Sequence, residues 1–133
     1  MNGAHVLVVD DDPDVLEVVT LTLEMAGYRV SQAANGQLAL AELARELPGL
    51  ILLDMRMPVM DGWTFARELR ARHGHRIPVV VVTAAEDARL RAREVDAEAW
   101  LGKPFDVDTL LATVGRLMAR QGGLEASRSH GAP

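Results

Sequence analysis

The stretch Leu50-Ile51-Leu52-Leu53 is apolar at every position and then stops at a carboxylate, Asp54. A strand with one wet face alternates apolar and polar residues, so an unbroken apolar run belongs to a strand covered on both faces, as in a parallel sheet. Pro58 and Asp61-Gly62 follow closely and forbid regular structure, which leaves Asp54 at the mouth of a stiff loop. Similar runs occupy residues 5–9 and 77–82, and weaker strand patterns lie at 28–33 and 99–101.

Helical periods fill the intervals. Asp12-Pro13 is a start signal, with Asp12 as N-cap and Pro13 at the first helical position, and Val15, Leu16, Val19 and Leu23 recur at helical spacing before Gly27. Asn35 can cap a second helix with the stripe Leu40, Leu43, Ala44 and Leu47, broken by Pro48-Gly49. A third helix over 62–73 carries Phe65, Ala66 and Leu69, and a fourth over 86–95 carries Leu90, Ala92 and Val95. The last, from about 106 to 120, shows Val107, Leu110, Leu111, Val114, Leu117 and Met118. Five strands alternating with five helices predict an α/β fold, a doubly wound three-layer sandwich around a parallel five-stranded sheet. Residues 121–133 have little to bury and read as a disordered tail, too short to be an output domain, after one domain over 4–120.

Composition narrows the function. The 133 residues are 49% apolar, enough for one well-cored domain. A net charge of −5 argues against a general nucleic-acid binder, and the absence of cysteine excludes disulfides, thiol catalysis and Cys-ligated zinc. The N-terminus has no basic segment followed by a long apolar run, and no stretch reaches membrane-spanning length. The expectation is a cytoplasmic protein with no membrane partner.

Parallel strands all finish at one edge of their sheet, and ligands of open α/β sheets bind outside that edge. Four strands here finish in Asp10-Asp11, Asp54, Thr83 and Lys103. Any one of these is what a loop start looks like; together they are chemically complementary. Crowded carboxylates either protonate in part or take up a cation, and oxygen ligands without His or Cys suit Mg²⁺. A carboxylate held beside Mg²⁺ can attack phosphorus to form an acyl phosphate, with Lys103 and the Thr83 hydroxyl as partners for the phosphoryl oxygens.

The segments Val8-Val9-Asp10-Asp11, Leu53-Asp54-Met55-Arg56-Met57-Pro58-Val59-Met60-Asp61-Gly62, Val82-Thr83-Ala84 and Lys103-Pro104-Phe105 occur in this order within 4–120. In this the chain closely resembles the receiver domain of bacterial two-component response regulators, of the single-domain chemotaxis type. The resemblance implies a flavodoxin-like (βα)5 fold with strand order 2-1-3-4-5. It implies that Asp54 is the phosphoacceptor, served by a histidine kinase or phosphotransfer protein. Asp11 would ligate Mg²⁺ directly with Asp54 and the backbone carbonyl of Arg56, and Asp10 mainly through water. Lys103 would pair with the phosphoryl oxygens, and the Lys103-Pro104 bond is expected to be cis. Thr83 would move toward the phosphoryl group beside Ala84, Ala85 and Pro104, which line the pocket, while Arg56 and Ala85 tune the lifetime of the acyl phosphate. Trp100 falls at the family's switching aromatic, which turns inward as Thr83 moves and biases two packings of the last two strand–helix units. Such a domain is a phosphoacceptor, not an enzyme with independent turnover. It would be a monomer or weak dimer that changes its affinity for a protein partner at the face of Trp100 and the last helix, with no nucleic acid partner.

Three positions depart from the family pattern. Trp100 replaces the usual Tyr or Phe; Thr83 to Lys103 is twenty positions, about two fewer than usual; and Asp96 replaces a usual Gly. Two rival readings exist. A haloacid-dehalogenase-type hydrolase would use Asp10-Asp11-Asp12 as its Asp-x-Asp, but wastes Asp54 and lacks room for a cap. A phosphorylation-independent adaptor would tolerate a damaged acid pocket, and this one has every expected group. Asp12 and Asp61 read as helix caps, Trp63 and Trp100 as core residues, and Arg89, Arg91 and Arg93, flanked by Glu86, Asp87 and Glu94, as a solvated helix.

Overall fold

The alternation of apolar runs and helical stripes produces β1 (His5–Val9), α1 (Pro13–Met25), β2 (Arg29–Ala33), α2 (Gly36–Arg45), β3 (Leu50–Asp54), α3 (Gly62–His73), β4 (Val79–Ala84), α4 (Ala85–Glu94), β5 (Ala99–Lys103) and α5 (Val107–Ser129). The computed structural model describes residues 4–129, with side chains described from 4 to 120. The strands form one sheet in the order β2-β1-β3-β4-β5, and all four pairings are parallel.

The period of two sorts the apolar runs onto the two faces. Leu7, Val9, Ile51, Leu53, Val79 and Val81 join a core with Ala39 and Leu43 of α2, Phe65 and Leu69 of α3, and Ala92 of α4. Val6, Val8, Leu50, Leu52, Val80 and Val82 join another with Val19 and Leu23 of α1 and Leu110, Val114 and Leu117 of α5. Both faces of β1, β3 and β4 are therefore dry, which is why their sequences do not alternate. Each fully buried Leu or Val contributes about 1.5–3 kcal/mol of transfer free energy. No helix is long and apolar enough to cross a membrane among the described residues.

The caps stand where the sequence signals put them. The Asp12 carboxylate accepts from the amides of Asp14 and Val15, Asn35 from Leu38, and Asp61 from Thr64. Several faces differ. α2 buries Gly36, Ala39 and Leu43, while Ala44 is exposed and Leu47 is 39% exposed. A Cβ on Gly36 would lie 2.8 Å from Met60 Cγ, so the first turn of the helix abuts the loop after β3 where it has no side chain. α4 likewise buries Ala88 and Ala92 and leaves Leu90 50% exposed. Trp100 is 47% exposed, not a core residue. It lies between Ala99 and Leu101, which point into the core shared with α1 and α5, so it faces the other way on an edge strand.

The last helix continues to Ser129, through the region read as a tail. Leu124, Glu125, Ala126 and Arg128 are good helix formers that prolong it beyond Gly122-Gly123. Residues 130–133, the rest of that segment, lie outside the described residues.

Candidate functional site

The register of the sheet assembles the polar strand ends. Val9 pairs with Leu53, so Asp10 and Asp54, one residue further on, leave the central strands side by side. Asp54 pairs with Val82, which puts Thr83 one step beyond it, and Ala84 pairs with Lys103. Carboxylate oxygens of Asp10, Asp11 and Asp54 lie within 4.8 Å of one another. Asp10 is 3% exposed and Asp54 7%, whereas Asp11 is open to solvent. The Asp10 carboxylate also accepts from the amide of Asp12 at 2.9 Å, which holds the β1–α1 turn closed.

Lys103 reaches across from β5. Its Nζ donates to Asp10 Oδ2 at 3.1 Å and stands 3.6 Å from Asp54 Oδ1. One ammonium faces three carboxylates, and of these Asp54 has its acidity displaced. Burial first, then the charge of Asp10, pushes the Asp54 carboxyl up to about 6; Lys103 opposes the rise and Asp11 adds to it. Burial works to lower the Lys103 ammonium, but its hydrogen bond to Asp10 and the charges of Asp54 and Asp10 outweigh this and raise it. Thr83 is buried at 8% exposure.

Beside the acids opens a groove of about 560 Å³, lined by Ala84, Lys103, Pro104 and Phe105 together with Val15 and Val18 of α1. The Lys103-Pro104 bond is cis. Ala85 does not line this groove but begins α4 without any loop after β4. A Cβ on Gly102 would lie 2.5 Å from Ala85 Cα, so the short link from Thr83 to Lys103 has drawn α4 hard onto β5, and only glycine fits there. Asp96 holds φ at 56°, the left-handed backbone for which Asp is a tolerable substitute for Gly.

The loop after β3 is equally tight. The Gly62 amide donates to Met55 O at 2.9 Å, and a Cβ on Gly62 would lie 2.8 Å from Asp54 O. Val59, at its tip, holds φ at 70° with 76% of its surface exposed, an uncommon conformation for a β-branched residue. Arg56 is exposed and its Cζ lies 5.8 Å from the centre of the Trp63 ring, so its side chain associates with α3.

The sequence reading passed over a second cluster. Trp63 is only partly buried, and its Nε1 donates to Glu94 Oε1 at 2.8 Å. Arg91 of α4 donates to both Glu94 oxygens at 2.9 Å. The signal available was the indole N–H, which needs a partner when its ring is covered. Arg70 was missed too: it donates to Asp96 O at 2.9 Å and lies 3.7 Å from Glu98, tying α3 to the turn before β5.

Comparison with known proteins identifies the family and the fold. The family model of the response regulator receiver domain matches residues 6–115. The DNA-binding dual master transcriptional regulator RpaA of Synechocystis sp. is 37% identical over 129 residues, 95% of this chain and 54% of RpaA. The chain thus spans about half the length of the curated relatives it matches. Among solved structures, the chemotaxis response regulator CheY4 of Vibrio cholerae matches with a TM-score of 0.78 at 37% identity, covering 86% of this chain and 98% of that one. The receiver domain of a Pseudomonas aeruginosa sensor histidine kinase, with a magnesium ion coordinated in its active site cleft, matches at 0.80 and 33% identity, covering 88% and 98%.

Proposed function

Since the chain belongs to the response regulator receiver domain family of two-component signalling, we propose that Asp54 is its phosphoacceptor and that a histidine kinase or phosphotransfer protein is its donor. The observation that carries this reading is the convergence of three carboxylates within 4.8 Å, with Lys103 3.1 Å from Asp10 and 3.6 Å from Asp54.

The donor set fits Mg²⁺. All three side-chain donors are oxygens, no sulfur or imidazole stands among them, and one ammonium, Lys103, is set against three carboxylates within 4.8 Å of one another. Asp11, Asp54 and the backbone carbonyl of Arg56 would hold the ion directly and Asp10 through water. Bound there, Mg²⁺ supplies positive charge that keeps Asp54 ionised and offsets charge on a phosphoryl oxygen.

The chain's own groups do the rest. An Asp54 carboxylate oxygen attacks the phosphorus of a phosphohistidine; the P–N bond breaks and its electron pair stays on the imidazole, which takes up a proton. Lys103 shifts from its carboxylate partners toward a phosphoryl oxygen, and the Thr83 hydroxyl donates to another. Ala84, small at the groove wall, leaves Asp54 reachable from the side that Lys103 and Pro104 line. Because Ala85 is pressed against Gly102, a movement of Thr83 carries α4 with it and reaches Trp100 on β5. That exposed indole and the first turns of α5 form the face whose affinity for a protein partner changes. The chain is a phosphoacceptor and needs no independent substrate turnover.

The test is incubation with Mg²⁺ and acetyl phosphate followed by intact-mass measurement. A single phosphoryl adduct is expected on the native protein and none on Asp54→Asn. An adduct that persists in Asp54→Asn overturns the assignment, and no adduct on the native protein favours an adaptor that works without phosphate. Steady release of phosphate that survives Asp54→Asn but not Asp10→Asn favours a hydrolase.

A further inference from the structure

α3 starts in contact with the end of β3. The Gly62 amide donates to Met55 O at 2.9 Å, and a Cβ on Gly62 would lie 2.8 Å from both Asp54 O and Met55 Cα, so the first turn of α3 sits directly on the end of β3. The residue after Gly62 is Trp63, whose ring packs against the core beneath α2 and α3. Two cations approach the ring: Arg91 Cζ from α4 at 5.4 Å and Arg56 Cζ from the acid loop at 5.8 Å. One anion serves the group, Glu94, which accepts from the indole N–H at 2.8 Å and from Arg91 at 2.9 Å. The Trp63 N–H first, and Arg91 second, hold the Glu94 carboxyl below its usual range, so these bonds are charge-assisted at neutral pH.

At its other end α4 has no loop to absorb motion, because Ala84 closes β4 and Ala85 opens the helix against Gly102. A helix pinned at its first turn and gripped at its last by Trp63, the residue after the Gly62 that abuts Asp54, is placed to respond to the acid loop. We propose that Trp63 is a positioning residue linking that loop to α4, so that a change at Asp54 reaches α4 through Arg56 and the indole as well as through Thr83. The proposal rests on the phosphoacceptor reading and adds a route to it. Arg56 is the residue whose backbone carbonyl is assigned to the ion. A shift of that backbone therefore moves a guanidinium across a ring that is itself bonded to α4.

The chain has two tryptophans, so Trp100→Phe leaves Trp63 as the sole tryptophan, read by excitation beyond the absorption of Tyr28. Mg²⁺ alone is added first and then acetyl phosphate, with adduct counted by intact mass and α4 amide exchange measured in the same samples. Trp63 emission is expected to shift at both additions, and α4 exchange in the native protein to change at least about threefold. In Trp63→Phe, which keeps a ring but loses the N–H, adduct is expected at native yield while the α4 response disappears. Should that variant fail to fold, Glu94→Ala, which takes away the acceptor of the indole N–H, carries the same test from the exposed side of the bond.

A Trp63 that only braces the fold lowers α4 protection equally with and without phosphate and leaves the response intact; that result overturns the proposal. Silent Trp63 emission in the presence of adduct also overturns it. If no adduct forms, the Asp54 reading fails and the Mg²⁺ arm decides the link: a Trp63-dependent α4 response keeps it, and a silent α4 removes it.

Discussion

At the amino edge of the sheet His5 of β1, Ser31 of β2 and Glu46 after α2 come together; at the carboxyl edge Asp10, Asp11, Asp54 and Lys103 do. Both clusters contain a buried titratable group, yet the first resolves its charge and the second does not. His5 is 6% exposed, and its Nε2 meets Ser31 Oγ at 2.7 Å. Burial lowers its pKa, so the ring stays neutral, while Arg29 pairs with Glu46 at 2.6 Å in front of it. The carboxyl edge sets one ammonium against three carboxylates, and burial first, then the charge of Asp10, leaves Asp54 uncomfortable as an anion. Charge satisfied within the chain marks a structural end, and charge left over marks an end prepared for something the chain does not itself supply.

The largest effect that would break this contrast is a gain of stability from disarming the acid site. With its folded pKa raised from 3.8 to about 6, Asp54 destabilises the folded state wherever it is ionised. The stability that its protonated form allows is complete below 3.8 and is lost as pH rises through about 6. Asp54→Asn cannot ionise. In EDTA the variant and the native protein should differ in charge cost by nothing at low pH and by up to about 3 kcal/mol at pH 7, taking about 1.4 kcal/mol per pK unit. Urea unfolding at several pH values measures the difference; a variant no more stable than the native protein at pH 7 would remove the idea that the acid edge is frustrated.

Next in size is the response to metal. A ligand at a hundred times its dissociation constant stabilises the folded state by about 2.7 kcal/mol. Mg²⁺ should raise the Tm of the native protein, and Asp11→Asn should abolish most of that rise. Glu46→Gln, at the amino edge, should keep it. Equal loss in both variants would mean that the ion is not read by the carboxyl edge.

How far the sequence disclosed these two ends follows from their physics. Asp10, Asp54, Thr83 and Lys103 were visible because each terminates an apolar run, and parallel strands leave only one edge for such residues to share. Val9 facing Leu53 then fixes the neighbours without any long-range guess. The amino-edge cluster was not visible, because His5 and Ser31 look like ordinary strand residues until β1 and β2 pair His5 with Arg29. α4 was misjudged for a related reason. Leu90 is its bulkiest apolar residue, but close approach to the sheet selects Ala88 and Ala92 and turns Leu90 out. Helix faces are chosen by what fits between neighbours, and a hydrophobic stripe carries no information about clearance.

The smallest effect concerns the paired end. Burial depresses the folded pKa of His5 below its ordinary 6.5; Glu46 opposes that shift, Arg29 and Arg45 assist it, and Glu42 opposes it more weakly. As pH falls through 6.5 the unfolded chain takes up its proton before the folded one does, so the folded state loses stability there and loses none above. Asp54 acts with the opposite sign in a neighbouring window, so the comparison belongs in an Asp54→Asn background. Between pH 7.5 and 5.5 that protein should lose stability relative to its His5→Leu counterpart. Adding Glu46→Gln should deepen the loss, because it withdraws the charge that makes a protonated His5 tolerable. Arg29 keeps the Glu46 carboxyl below its usual range, so it stays ionised across this window and its own titration does not intrude. A pH slope unchanged by His5→Leu would mean that the ring is not held neutral, and that the amino edge, too, carries charge it has not settled.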